Sequence, residues 1–167
     1  MKLNDELFER LLYSAQNTPR KRSHQNLHAS FDDPVQRLCI GLVRGTYVRP
    51  HFHAQANKWE MMLALRGSVG VLFFDHAGVV KERHELKPSN SLTALEIVPG
   101  ILHAVFPLTD KAILLEIKEG PYSPLGHGDF AVWAPKEGTH DVVGFLEWAE
   151  RARVGERYSE DFKAACN

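Results

Sequence analysis

Apolar positions along this chain recur in two rhythms. Near the start, Phe8, Leu11, Leu12 and Ala15 fall on one face at helical spacing, behind an Asn4 suited to capping the first turn. Pro19 and the basic run Arg20-Lys21-Arg22 end this predicted helix, which reads as an appendage on the main body. A loop through Asn26, His28 and Asp32-Asp33-Pro34 follows. From Val35 onward the rhythm changes to the alternation and short apolar runs of β-strands. Strands are predicted over residues 35–43, 58–65, 68–74, 79–86, 92–98, 103–107 and 112–118. Asp75-His76-Ala77-Gly78 and Lys87-Pro88-Ser89-Asn90 are turns between them. No helical crossover separates these strands, which excludes a parallel α/β sheet and predicts a closed antiparallel barrel or a two-sheet jelly roll.

After Gly120-Pro121-Tyr122 the composition turns to Pro, Gly, His and aromatic residues as far as Trp133-Ala134-Pro135. That stretch reads as an ordered loop packed over the barrel. Thr139 or Asp141 then caps a last helix with Val142, Phe145, Leu146 and Ala149 inward and Gly155 as its stop. The expected organisation is a single domain over residues 1–167. It divides into a helix and arm (1–34), a barrel core (35–120), and a covering loop with a C-terminal helix (121–167).

Composition narrows the function classes. A formal net charge of −1 over 167 residues gives no pull towards nucleic acid or an anionic membrane. No apolar run is long enough to span a bilayer. Met1-Lys2-Leu3-Asn4-Asp5-Glu6 is polar where a secretory signal needs an apolar core, so a cytoplasmic location is the expectation. Cys39 and Cys166 form neither a disulfide framework nor a ligand pair.

The chemistry concentrates in His51-Phe52-His53, Glu60 and His103. Strand alternation places Arg49, His51 and His53 on one face, and Glu60, Met62 and Ala64 on one face of the next strand. Three imidazoles and a carboxylate converging in a barrel suit one divalent transition metal: zinc, iron, nickel or manganese. Glu116, in an apolar strand, is expected to move protons beside that metal, or else to pair with Lys118. Arg49 and Lys118 are inward-facing cations suited to a phosphate or carboxylate. Asn26 and His28 read either as a helix-to-strand connector with a solvated basic run or as an arm across the opening that contacts a ligand, and Tyr122 and Trp133 as an aromatic wall, with packing the alternative for that pair. His24, His76, His84, His127 and His140 are assigned no role.

These residues resemble the two cupin motifs. Gly45, His51-x-His53, Glu60 and Gly67 look like the first, and Pro99 with Gly100-x-x-His103 is similar to the second. The His53–Glu60 gap is longer than the usual cupin spacing, so a loop or bulge must absorb it. The wider chain resembles the WbuC-type cupin-fold metalloproteins of bacterial polysaccharide gene clusters. The likeness lies in Arg20-Lys21-Arg22 with Asn26-Leu27-His28, Tyr47-Val48-Arg49-Pro50-His51-Phe52-His53, and Lys58-Trp59-Glu60 with Leu65-Arg66-Gly67. It continues through Glu116-Ile117-Lys118-Glu119-Gly120-Pro121-Tyr122 to Phe130-Ala131-Val132-Trp133-Ala134-Pro135.

The fold this implies is mainly β, a cupin double-stranded β-helix (jelly-roll) barrel with a helix at each end. The resemblance also implies a homodimer and a small-molecule substrate, a sugar or nucleotide sugar, in surface-polysaccharide metabolism. The leading expectation is a metal-dependent enzyme with Lewis-acid chemistry: isomerase, epimerase or hydrolase. An iron-dependent dioxygenase and a non-catalytic metal- or sugar-binding protein stand beside it. A purely structural metal is disfavoured, because a core of this size needs no staple.

Overall fold

The computed structural model describes residues 1–89 and 91–159. Helix α1 spans Asp5–Gln16, and the strands are β1 (Arg22–Asn26), β2 (Val35–Val43), β3 (Glu60–Arg66), β4 (Val69–Phe74), β5 (Val80–Leu86), β6 (Ala94–Ile97), β7 (Leu102–Pro107) and β8 (Lys111–Glu119). Helix α2 spans Asp141–Ala149. Asn4 caps α1, its side-chain oxygen accepting from the Leu7 amide at 3.2 Å.

The strands form two antiparallel sheets, ordered β1-β2-β8-β3-β6 and β5-β4-β7. The segment around His51 extends the second sheet, because the His51 and His103 amides each donate to the other's carbonyl, at 3.0 and 2.9 Å. With that segment counted as a strand, four core strands face four others in the interleaved order of a jelly roll. Gly67 turns the chain from one sheet to the other. Its φ of +69° lies in the left-handed region, and a Cβ there would stand 2.3 Å from the Lys111 carbonyl oxygen.

The middle of each sheet is covered on both faces, which is why several strands read as continuous apolar runs. Helix α1 lays Leu7, Phe8, Leu11, Leu12 and Ala15 on the outer face of the larger sheet, against Cys39, Val43 and Ile113. The approach is close: a Cβ on Gly41 would come within 2.9 Å of the Leu11 backbone. The outer face of the smaller sheet, with Leu72, Phe74 and Phe106, is covered by Phe145 and Trp148 of α2 and Ala131 and Ala134 of the covering loop. Between the sheets, Val69, Val71, Leu86 and Ala112 pack a dry floor.

Several expectations need correcting. Among the described residues the two sheets do not hydrogen-bond round into a closed barrel; they form a two-sheet jelly roll. Residues 22–26, expected as connector, are a strand on β2. Helix α1 ends at Gln16, before Pro19. Helix α2 ends at Ala149 rather than near Gly155, because the Arg83 guanidinium takes the carbonyls of Ala149, Glu150 and Ala152 at 2.8, 2.8 and 3.2 Å. His140 precedes α2 without a side-chain cap, so neither Thr139 nor Asp141 serves as one. Asn90, the end of an expected turn, and Cys166 lie outside the described residues.

Candidate metal centre

The turn over Pro99 and Gly100 delivers β7 so that His103 stands directly opposite His51. Opposed residues of an antiparallel pair share a face, and His53 lies two residues along the same face. The three rings gather accordingly, with centroids 4.5 Å apart for His51–His103, 5.3 Å for His51–His53 and 6.2 Å for His53–His103. Glu60 arrives from the opposite sheet at the start of β3 and is 2% exposed. The long His53–Glu60 gap is absorbed by a tied loop. The Lys58 amide donates to the Gln55 carbonyl, its ammonium to the Glu119 and Pro121 carbonyls, and the Trp59 indole N–H to the Glu119 carboxylate at 3.0 Å.

Two of the imidazoles are oriented by backbone carbonyls. Nδ1 of His51 lies 2.9 Å from the Arg49 carbonyl and Nδ1 of His103 lies 2.9 Å from that of Ile101. A carbonyl only accepts, so each Nδ1 carries the hydrogen and each Nε2 keeps its lone pair. His53 Nε2 is 2.9 Å from Glu60 Oε1, and His103 Nε2 is 3.3 Å from Glu60 Oε2. Even so, His53 Nε2, His103 Nε2 and Glu60 Oε2 are buried and have no hydrogen-bond partner among the described residues. They approach one another without hydrogen-bond geometry.

The charge states suit a cation. Burial, with His103 beside it, pushes the His51 imidazole down to about 3, so it is neutral, the ligating form. Burial would raise the Glu60 carboxyl, but His103, His53 and Lys118 outweigh it and hold the group well below the usual carboxylate range. Donor atoms of His51, His53 and Glu60 all lie within 4.8 Å of one another. Opposed donors at bond lengths of about 2.1 Å would be about 4.2 Å apart, so the set fits a first-row divalent ion with small rotations. His103 stands beside this set, its Nε2 3.3 Å from Glu60 Oε2 and its ring against His51.

Lys118 joins this cluster to a second carboxylate. Its ammonium lies 3.3 Å from Glu60 Oε1 and 2.6 Å from Glu116 Oε1. Despite burial, which lowers it, the two carboxylates raise the Lys118 pKa, so the ammonium stays charged. All three side chains point between the sheets, as strand alternation on β3 and β8 requires.

A chamber of about 220 Å³ opens beside the cluster, with His51, Glu60, Glu116 and Lys118 on one wall and mainly aliphatic side chains on the others. A second chamber of about 370 Å³ lies outside it, lined by Asn26, His28, Gln36, Lys118 and Tyr122 among others. Of the residues expected to bind substrate, the structure thus brings four together here. Arg49 is placed elsewhere: Nη2 donates to the Ala131 carbonyl at 2.8 Å and the guanidinium lies 5.3 Å from the Phe130 ring centre, fastening the covering loop. Trp133 packs against Phe74 and Phe145 in the outer core instead of forming a wall. Glu116 takes the pairing with Lys118 that was its alternative reading.

Arg22 and His24 line both chambers, and no role had been expected for either. Register explains their position: Arg22, His24 and Asn26 pair with Leu42, Ile40 and Leu38, all inward-facing on β2. Burial lowers the His24 pKa, with Glu116 opposing it.

Comparison with known proteins adds the following. The family model described as "Domain of unknown function (DUF6016)" matches residues 3–86. No curated protein matches the chain. Among solved structures, the chain is similar to the TT1209 protein from Thermus thermophilus, with 22% identity, a TM-score of 0.51, and coverage of 71% of this chain and 97% of that one. At that identity the likeness is one of fold. It is also similar to an HTH_3 family transcriptional regulator from Vibrio cholerae, at 22% identity and a TM-score of 0.47, over 60% of this chain; the chain spans only 52% of that regulator's length. An RmlC-like cupin family protein with a double-stranded β-helix fold from Methanocaldococcus jannaschii matches at 17% identity and a TM-score of 0.46, covering 60% of this chain and 81% of that one.

Proposed function

The chain belongs to the family described as a domain of unknown function, DUF6016, and we propose that it is a cupin-fold, metal-dependent enzyme acting on a small molecule. One observation carries this reading. Three buried donor atoms, on His53, His103 and Glu60, lack hydrogen-bond partners among the described residues, and Glu60 with His51 lines a chamber large enough for a ligand. Leaving such atoms unmet costs about 1–3 kcal/mol apiece, a cost that a bound ion removes.

A divalent ion held by His51, His53, Glu60 and His103 supplies a Lewis acid for a carbonyl or a vicinal hydroxyl pair. The chain's own residues do the rest. Lys118 fixes Glu60 and Glu116 relative to each other through one ammonium. Glu116, on the chamber wall, is the group that takes a proton from the ligand and returns it, which permits isomerisation, epimerisation or hydrolysis. The aliphatic walls keep water from the reacting end. The WbuC-type likeness adds a sugar-derived substrate, a place in bacterial surface-polysaccharide metabolism and a homodimer; these three rest on that resemblance.

The test is elemental analysis of the purified chain beside His51→Ala/His53→Ala. About one equivalent of zinc, iron, nickel or manganese in the wild type and none in the variant is expected. No stoichiometric metal after reloading would overturn the reading. Iron together with oxygen-dependent turnover would replace Lewis-acid chemistry by dioxygenase chemistry.

A further inference from the structure

The two chambers beside the metal ligands adjoin, with Arg22, His24, Leu38 and Lys118 lining both, yet they are opposite in character. In the inner one the walls away from the charged cluster are Leu38, Ile40, Leu42, Met62, Val105 and Leu114. A sugar ring inserted there would leave most of its hydroxyls facing carbon, with Arg22, His24 and the charged cluster on the remaining wall. An alkyl or acyl chain would find contact along the aliphatic walls.

The outer chamber is polar, and its cations are already committed. Arg20 and Arg22 hold Glu137 at 2.8 and 2.9 Å, and Lys118 holds Glu116 and Glu60. What remains unmet is neutral hydrogen-bonding capacity. The Gln36 side chain is 1% exposed, and its amide nitrogen donates to the carbonyls of Ser30, Phe31 and Asp33 at 3.3, 3.2 and 3.0 Å. Three acceptors fix that amide's orientation, and Oε1 is left without a partner. His28 Nδ1 lies 2.9 Å from the Arg37 amide and 3.0 Å from the Arg37 carbonyl, and its Nε2, like Asn26 Oδ1, is buried without a partner among the described residues. Two amide oxygens and one imidazole nitrogen, all in residues lining this chamber, therefore have unmet hydrogen-bonding capacity among the described residues. A hydroxyl group both gives and takes hydrogen bonds, and adjacent hydroxyls complement this set. Phe31 and Tyr122 stand at the rim with ring centres 5.1 Å apart, an apolar surface for the carbon face of such a ligand.

We propose that the ligand of this site is amphipathic: an acyl arm in the inner chamber, its carbonyl towards the metal ligands and its chain on the aliphatic walls, and a neutral, hydroxyl-bearing head in the outer chamber facing Asn26, His28 and Gln36. This rests on the cleft being the substrate site, and not on which metal is bound.

The experiment is calorimetric titration of the full chain with n-alkyl glucosides, galactosides and mannosides from methyl to hexyl, alongside n-alkanols of matching length. Each titration is run with and without EDTA, and metal content is measured on the same samples. Affinity is expected to rise about fourfold per methylene until the arm fills the chamber, and then to level off. Leu38→Phe, which narrows the junction, should bring that plateau to shorter chains. Gln36→Leu and Asn26→Leu should each weaken the glycosides about tenfold, leaving the alkanols and the length dependence unchanged. The wild-type comparison carries the test if those variants fold poorly. Binding that does not depend on chain length, or no binding, overturns the arm. Glycosides of all three sugars binding no tighter than their alkanols overturns the head. A chain without metal that keeps the length dependence would sink the metal reading alone; a metal-loaded chain without it would sink the amphipathic ligand alone.

Discussion

The two ends of the space between the sheets are built from the same strands and do opposite things. Along the inner face of β8, Ala112 and Leu114 give way to Glu116 and Lys118. Along β3, Ala64 and Met62 give way to Glu60. At the closed end Val69, Val71, Leu86 and Ala112 are fully buried, and that packing stabilises the fold. At the open end buried nitrogens and oxygens lack partners and the walls leave chambers, arrangements that cost stability until something occupies them. Stability and chemistry are thus separated along the strands, with the ladder hydrogen bonds common to both. Substitutions at the two ends should then have separable effects.

The largest effect tests that separation directly. Leu86→Ala, at a side chain with 0% exposure, should cost about 2–5 kcal/mol by transfer and cavity terms. Denaturant unfolding in EDTA would measure it, with metal bound per folded molecule unchanged. His51→Ala/His53→Ala should do the reverse, abolishing metal binding while costing the metal-free chain less than Leu86→Ala does, since the removed His53 ring carries a buried nitrogen unmet among the described residues. Loss of metal in folded Leu86→Ala would show that the two ends are one unit.

Lys118→Met probes the seam between the ends. It leaves Glu60 and Glu116 as buried carboxylates without their shared cation, 3% and 14% exposed in their side chains. Breaking a buried ion pair from one side costs about 3–5 kcal/mol, and the 20% exposure of the Lys118 side chain should hold this case to about 2–3 kcal/mol. Adding Glu116→Gln should restore part of the loss in a double-mutant cycle. A neutral or stabilising Lys118→Met would mean that the ammonium does not hold the two carboxylates.

The sequence was most readable where pattern and packing agree. Strand β2 was expected over the residues observed, because both its faces are apolar. The burial face of α1 and the gathering of His51, His53 and His103 followed from simple periodicities and one Gly turn. Strand β1 was hidden for a physical reason. Arg22, His24 and Asn26 face a polar chamber and Ser23 and Gln25 meet α1 through hydrogen bonds, so no apolar alternation marks it. Missing that strand meant missing Arg22 and His24 as lining residues. Gln36 was visible in principle, a polar side chain on the same parity as Leu38, Ile40 and Leu42. Arg49 shows what parity leaves out: the covering loop supplies a carbonyl and, opposite His51, an aromatic ring that capture its guanidinium, and no strand rule contains that loop.

The smallest effect concerns the rim, where Glu137 of the covering segment meets Arg20 and Arg22 beside the outer chamber. Burial would raise the Glu137 carboxyl, but the two guanidinium groups outweigh it and lower the group below its ordinary value. A lowered folded-state pKa stabilises the fold above the unfolded value of about 4.3, and that stability disappears as pH falls through the folded value. With Glu137 and Arg20 substantially exposed, the pair should contribute no more than about 0.5–1 kcal/mol. The wild type should therefore unfold at a slightly higher temperature than Glu137→Gln at pH 7, and the difference should close as the pH is taken below about 4. A difference that persisted in acid would mean the side chain acts by packing rather than charge. If instead the closing of this small gap were accompanied by a loss of ligand affinity at unchanged metal content, the rim pair would be tuning the outer chamber. The boundary between the stabilising and the reactive parts of the molecule would then lie inside the loop rather than between the sheets.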